Sequence, residues 1–253
     1  MRPPVSWNPN PTQWRSGRPH LLPRLSDVRD LAAVLWDMDG TLVDTEPYWI
    51  QGEHEVVESF GGTWTDQLSH QLVGQDLRVS AGIMRANSPI SWDVDRIVDE
   101  LLGKVIRRVE EHVPWRPGAR ELLASLRASG IPCVLVTMSW TSLATAVVDN
   151  LPEGSFTHLV TGDVVAHGKP HPEPYLAACR LLGVEPAQCV ALEDSPTGVR
   201  SAVDAGVPTV AIPHILPVPT RAGSVQVHTL AGIDTAGLTG LWRAAAQSSP
   251  TTT

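Results

Sequence analysis

The stretch Ala33-Val34-Leu35-Trp36-Asp37-Met38-Asp39-Gly40-Thr41 decides the reading of this chain. Four consecutive apolar residues read as a buried strand. Two carboxylates spaced two apart would share one side of a strand that continued. Gly40 breaks the strand, so Asp37 and Asp39 both project from its carboxyl end into a crevice. Ligands bind at that edge in open α/β sheets. Two crowded carboxylates resist joint ionisation. Either a divalent cation holds them, or they divide the labour between nucleophile and acid/base.

Working outward, the order continues after Gly118. Helix 119–129 precedes strand 132–137, and helix 142–150 precedes strand 158–161. Helix 172–182 precedes strand 189–192, and helix 197–205 precedes strand 209–212. Gly130, Gly183 and Gly206 stand where helices end. Helices alternating with fully apolar strands predict a doubly wound parallel sheet, an α/β fold. Residues 46–113 hold no convincing strand. They predict helices over 49–60, 65–72, 76–86 and 94–112, with Asp76 and Asp93 as helix starts. The expected organisation is a core of residues 31–45 and 114–245, with 46–113 inserted as a helical cap. Residues 1–30, rich in Pro and Arg, read as a loose extension, and residues 246–253 as a loose tail.

At 253 residues the chain can bury a sizeable core. A net charge of -8 argues against nucleic acid or an anionic membrane as partner. No apolar run reaches membrane-spanning length. Cys133, Cys179 and Cys189 sit in apolar stretches without metal-type spacing and read as reduced buried thiols of a cytoplasmic protein. His158, His167, His171 and His214 match no usual zinc spacing and read as loop or surface residues.

Four polar sites fall at the carboxyl ends of predicted strands. They are Asp37 with Asp39, Thr137 with Ser139, Lys169, and Glu193 with Asp194. Carboxylates offer hard oxygen ligands for Mg²⁺, and one of them can attack phosphorus. A lysine and backbone N–H groups can neutralise the equatorial phosphoryl oxygens. The set suits Mg²⁺-dependent phosphoryl transfer.

These motifs, Asp37-Met38-Asp39-Gly40-Thr41, Val134-Leu135-Val136-Thr137, Gly168-Lys169-Pro170 and Leu192-Glu193-Asp194-Ser195, resemble those of the haloacid dehalogenase superfamily. The resemblance spans about residues 32–215 and is nearest to the β-phosphoglucomutase-like and sugar-phosphatase-like group. It implies a Rossmann-like core with an inserted helical cap. It also implies Asp37 as nucleophile, Asp39 as acid/base, and Mg²⁺ held by Asp37, the Asp39 carbonyl, Asp194 and Glu193. Thr137, the Met138 N–H and Lys169 would grip the phosphate, with Met138 adding an apolar wall. Glu46 opens the cap hinge and would face the substrate. Trp36, larger than the family's usual residue there, is expected to alter strand packing.

The resemblance also discriminates between reactions. Dehalogenases of the superfamily lack the second Asp, so Asp39 favours phosphoryl transfer. The mutase has a hinge histidine where this chain has Trp49, and a cap arginine where it has Leu77. Arg78 is one residue off, about 100° around a helix. Lys104, the cap's one lysine, stands late in a helix, a poor place for a Schiff base in phosphonate hydrolysis. The expected activity is hydrolysis of a small-molecule phosphate ester of the sugar or polyol class. A phosphosugar mutase is the alternative, and a non-catalytic binding protein a more distant one. A monomer or weak homodimer is expected.

Overall fold

The computed structural model describes residues 31–73 and 75–248. The expected extension at 1–30 and residues 249–253 of the expected tail lie outside them. Six strands form one sheet: β1 (Ala33–Trp36), β2 (Cys133–Val136), β3 (His158–Val160), β4 (Cys189–Glu193), β5 (Thr209–Ala211) and β6 (Ser224–Gln226). Their order is β3-β2-β1-β4-β5-β6, with every pairing parallel. β1 is central, between β2 and β4, with Leu35 paired to Val134 and Ala191.

β1, β2 and β4 as far as Leu192 are continuous apolar runs because both faces are covered. Ala33 and Leu35 pack towards α7 (Glu173–Leu182) and α8 (Pro196–Asp204). Val34 and Trp36 pack towards α5 (Ala119–Ala128), α6 (Thr141–Val148) and α9 (Thr235–Gln247). Trp36 is fully buried there. The three cysteines are buried and unbridged.

The helical insertion comprises α1 (Glu46–Ser59), α2 (Asp66–Leu72), α3 (Leu77–Ala86) and α4 (Val94–Glu111). Asp76 and Asp93 cap α3 and α4, their carboxylates accepting from Arg78 N at 2.9 Å and Arg96 N at 2.8 Å. α1 starts at Glu46 rather than 49, because Pro47 falls in the first turn, where its missing N–H costs nothing. The two crossings between cap and core run side by side. Asp44 N donates to Pro114 O at 2.8 Å and Arg116 N to Leu42 O at 3.0 Å.

β6 and α9 were not expected. β6 has only three residues, and only its first is buried, so it lacks an apolar run. α9 also carries regular structure through Gln247, two residues into the segment expected to be loose. Among the described residues, no helix is long and apolar enough to cross a membrane.

Candidate active site

Asp37 follows the last residue of β1, and its N–H donates to Leu192 O at 3.0 Å, extending the pairing with β4. The chain then turns at Gly40, whose φ is +89°. Leu42 N and Val43 N both donate to Met38 O, at 2.9 and 3.0 Å. This tight turn presents Asp39 to β2's end. Gly40 is required for a second reason: a Cβ there would lie 2.1 Å from Asp194 Oδ2.

Lys169 arrives from the loop after β3. Its side chain is almost fully buried. Nζ donates to Asp37 Oδ1 at 2.6 Å and to Val136 O at 2.8 Å, and pairs with Glu193 Oε1 at 2.6 Å. Burial works against its charge, but Asp37 and Glu193 outweigh it and hold the lysine pKa above its ordinary value. The loop is itself anchored, since Lys169 N donates to Met138 Sδ at 3.1 Å. Met138 thus does more than the apolar wall expected of it. Its side chain is half-buried and supports the lysine loop through that sulfur.

Glu193 is the last residue of β4 and is fully buried. Tyr175, in the first turn of α7, donates its OH to Glu193 Oε1 at 2.5 Å. Its ring lies under the lysine, 5.3 Å from Nζ to the ring centroid. Gly198 leaves the space: a Cβ there would meet Glu193 Oε2 at 1.8 Å. Burial pushes the Glu193 pKa up to about 7 despite the lysine. Asp194 is pushed up to about 9 by burial and then by the charges of Asp37 and Glu193. Neither carboxylate caps α8. Ser195 does, its Oγ accepting from Gly198 N at 3.1 Å.

Asp39 is the best-bound carboxylate. Ser139 Oγ donates to Oδ2 at 2.7 Å, Thr137 Oγ1 to the same oxygen at 3.3 Å, and Thr45 Oγ1 to Oδ1. Burial nevertheless raises its pKa, opposed by the Thr45 and Ser139 bonds. Thr137 Oγ1 also accepts from Ser139 N at 3.0 Å, so its hydroxyl is turned onto the acid/base candidate. Glu46 stands at the start of the cap. Its pKa is raised to about 7 by burial, then by Glu53, Asp39 and Asp44.

Oxygens of Asp37, Glu193 and Asp194 lie within 4.8 Å of one another. Asp37 Oδ2 is buried without a hydrogen-bond partner. Three clustered carboxylates share one lysine. An all-oxygen set with an orphaned oxygen and excess negative charge fits a hard divalent cation such as Mg²⁺. Glu193 contributes least to that fit, because its Oε1 is committed to Lys169 and Tyr175.

Sequence reasoning brought together Asp37, Asp39, Thr137, Met138, Lys169, Glu193 and Asp194. It missed Tyr175 and Gly198, because both act across an α7–β4 or α8–β4 contact with no local signal. It read His214 as an ordinary loop residue. The structure places His214 Nε2 3.1 Å from Asp44 Oδ1, in the hinge. It brings His167 and His171 together with Glu173. Of the cap cations, Arg78 pairs with Asp95 and lies 5.9 Å from the Trp140 ring centroid. Lys104 pairs with Glu55 at 3.0 Å.

The chain resembles a phosphorylated carbohydrates phosphatase from Thermotoga maritima, 33% identical over 178 residues, 70% of this chain and 82% of the relative. It also resembles hexitol phosphatase B from Escherichia coli K12, 31% identical over 195 residues, 75% of this chain and 86% of the relative. Among solved structures it resembles CbbY from Rhodobacter sphaeroides in complex with phosphate. That match has a TM-score of 0.75 and 26% identity, and covers 83% of this chain and 99% of the other. The family model of haloacid dehalogenase-like hydrolases matches residues 31–206. With the four motifs at one sheet edge and this match over most of its length, the chain belongs to the haloacid dehalogenase-like hydrolases.

Proposed function

We propose that the chain is a Mg²⁺-dependent phosphomonoesterase, acting on a small sugar or polyol phosphate through a phosphoryl-Asp37 intermediate. The observation that carries this reading is Asp37 itself. One of its oxygens is held by Lys169 at 2.6 Å, while the other is buried and has no partner. A carboxylate so fixed is a positioned nucleophile.

In the first step an Asp37 oxygen forms a bond to phosphorus, and the bond from phosphorus to the sugar oxygen breaks. Asp39, whose pKa is raised by burial, gives its proton to the departing alkoxide. In the second step Asp39, now ionised, takes a proton from water as the water oxygen attacks phosphorus. The Asp37–phosphorus bond breaks and inorganic phosphate leaves. Lys169 stays protonated throughout, orienting Asp37 and offsetting charge on the phosphoryl oxygens. The Met138 N–H and, after rotation, the Thr137 hydroxyl serve the same oxygens. Mg²⁺, when held by Asp37, Asp194 and the Asp39 carbonyl with Glu193 at the margin, supplies the remaining positive charge. The cap, with Glu46 at its entrance, excludes water from the first step.

Water rather than a second sugar hydroxyl is the acceptor. Trp49 stands where the mutases carry a histidine, and Arg78 is engaged with Asp95 and Trp140. The relatives named for phosphorylated carbohydrates and hexitols support the substrate class. A panel of phosphate esters assayed with Mg²⁺, beside Asp37→Asn, tests the reading. Free phosphate from sugar or polyol phosphates in the wild type alone is expected. Phosphate migration on a hexose phosphate without release, seen by phosphorus NMR, would favour the mutase instead.

A further inference from the structure

A second group of metal-ligating side chains surrounds the lysine loop. His167, His171 and Glu173 each offer one ligand atom, and these atoms all lie within 4.8 Å of one another. His167 Nδ1 is 2.8 Å from Glu173 Oε2. The two imidazoles face each other, with centroids 4.7 Å apart at 34°. None of the three belongs to the Asp37, Glu193 and Asp194 set.

The carboxylate is oriented before any cation arrives. Glu173 Oε1 accepts from Ala166 N at 2.8 Å and Oε2 from His167 N at 3.1 Å. These bonds, the Ala166 one first, keep its pKa below the usual range, so the anion is present at neutral pH. Both histidines are exposed, so a cation reaches the site from solvent.

Donor chemistry selects the ion. Two imidazole nitrogens with one carboxylate oxygen suit a borderline divalent cation, whereas Mg²⁺ prefers an all-oxygen shell. We infer that His167, His171 and Glu173 form a second metal site, for a divalent cation of the Zn²⁺ class, with water completing its coordination. Ligand atoms around tetrahedral Zn²⁺ stand about 3.3 Å apart. Closing to that spacing takes rotation of two exposed rings. The His171 Nδ1 bond from Glu173 N, at 3.2 Å, is given up, and water serves that exposed amide instead. His167 and His171 flank Lys169 in sequence, so a bound cation ties together the two ends of the segment that carries the lysine.

Calorimetric titration of Zn²⁺ into the full chain under saturating Mg²⁺ tests the site. Wild type is expected to bind one Zn²⁺ that His167→Ala and His171→Ala each weaken by roughly tenfold or more. Ring-nitrogen NMR should show two histidines shifting on binding. Asp194→Asn, which disables the acidic set, is expected to retain this Zn²⁺. Absence of Zn²⁺ binding overturns the inference. So does wild-type affinity in both histidine variants, or binding lost only in Asp194→Asn.

Discussion

Lys169 and Glu193 form an ion pair at 2.6 Å in which the glutamate is fully buried. Removing one partner of a buried pair strands the other and costs about 3–5 kcal/mol. Lys169→Met is expected to lose stability of that order in urea denaturation, and kcat by about 10²–10³. Wild-type stability in this variant would mean that the pair is not formed.

Tyr175 completes the same cluster, with its OH 2.5 Å from Glu193 Oε1. Hydrogen bonds to charged groups contribute about 1.5–3 kcal/mol. Tyr175→Phe removes the hydroxyl and keeps the ring. Its denaturation midpoint is expected to fall accordingly, with a smaller loss of kcat than Lys169→Met. An unchanged midpoint would contradict the assigned contact.

Gly40 and Gly154 form a matched pair. Both have positive φ, +89° and +79°. A Cβ at Gly40 meets Asp194 at 2.1 Å, whereas nothing lies within 4 Å of one at Gly154. Gly154→Ala carries backbone strain alone, about 1 kcal/mol. Gly40→Ala also displaces Asp194. The Mg²⁺ concentration giving half-maximal activity is expected to rise in Gly40→Ala and to stay unchanged in Gly154→Ala.

Glu46 makes stability depend on pH. Its folded pKa, about 7, is above its ordinary 4.5. Between those values the unfolded chain has lost the proton and the folded chain keeps it. Stability therefore falls as pH rises through that window, and the penalty is complete above it. Glu46→Gln is expected to raise the melting temperature relative to wild type at pH 8. The difference should vanish below about pH 4.5. An equal difference at both pH values would contradict the assignment.

The centre of the sheet and the motif positions were legible because β1, β2 and β4 as far as Leu192 are short apolar runs. Asp37, Asp39, Thr137, Lys169, Glu193 and Asp194 were legible for the same reason: strand ends in a parallel sheet converge. β6 was not, since two of its three residues lack burial and no apolar run marks it. Tyr175 lies within the expected helix 172–182 without a local signal, and only the α7–β4 contact gives its hydroxyl a partner. The bond from Lys169 N to the Met138 sulfur was not legible, because it joins two loops 31 residues apart. The histidine pair was invisible to ligand-spacing rules because His167 and His171 lie on a loop, where separation along the chain does not set distance.

The central claim is that Asp37 receives the phosphoryl group. Rapid acid quench of the enzyme with a radiolabelled sugar phosphate, followed by peptide mapping, tests it most directly. The account predicts label on the Asp37 peptide in the wild type and none in Asp37→Asn. Label elsewhere, or phosphate release by Asp37→Asn at the wild-type rate, would contradict it.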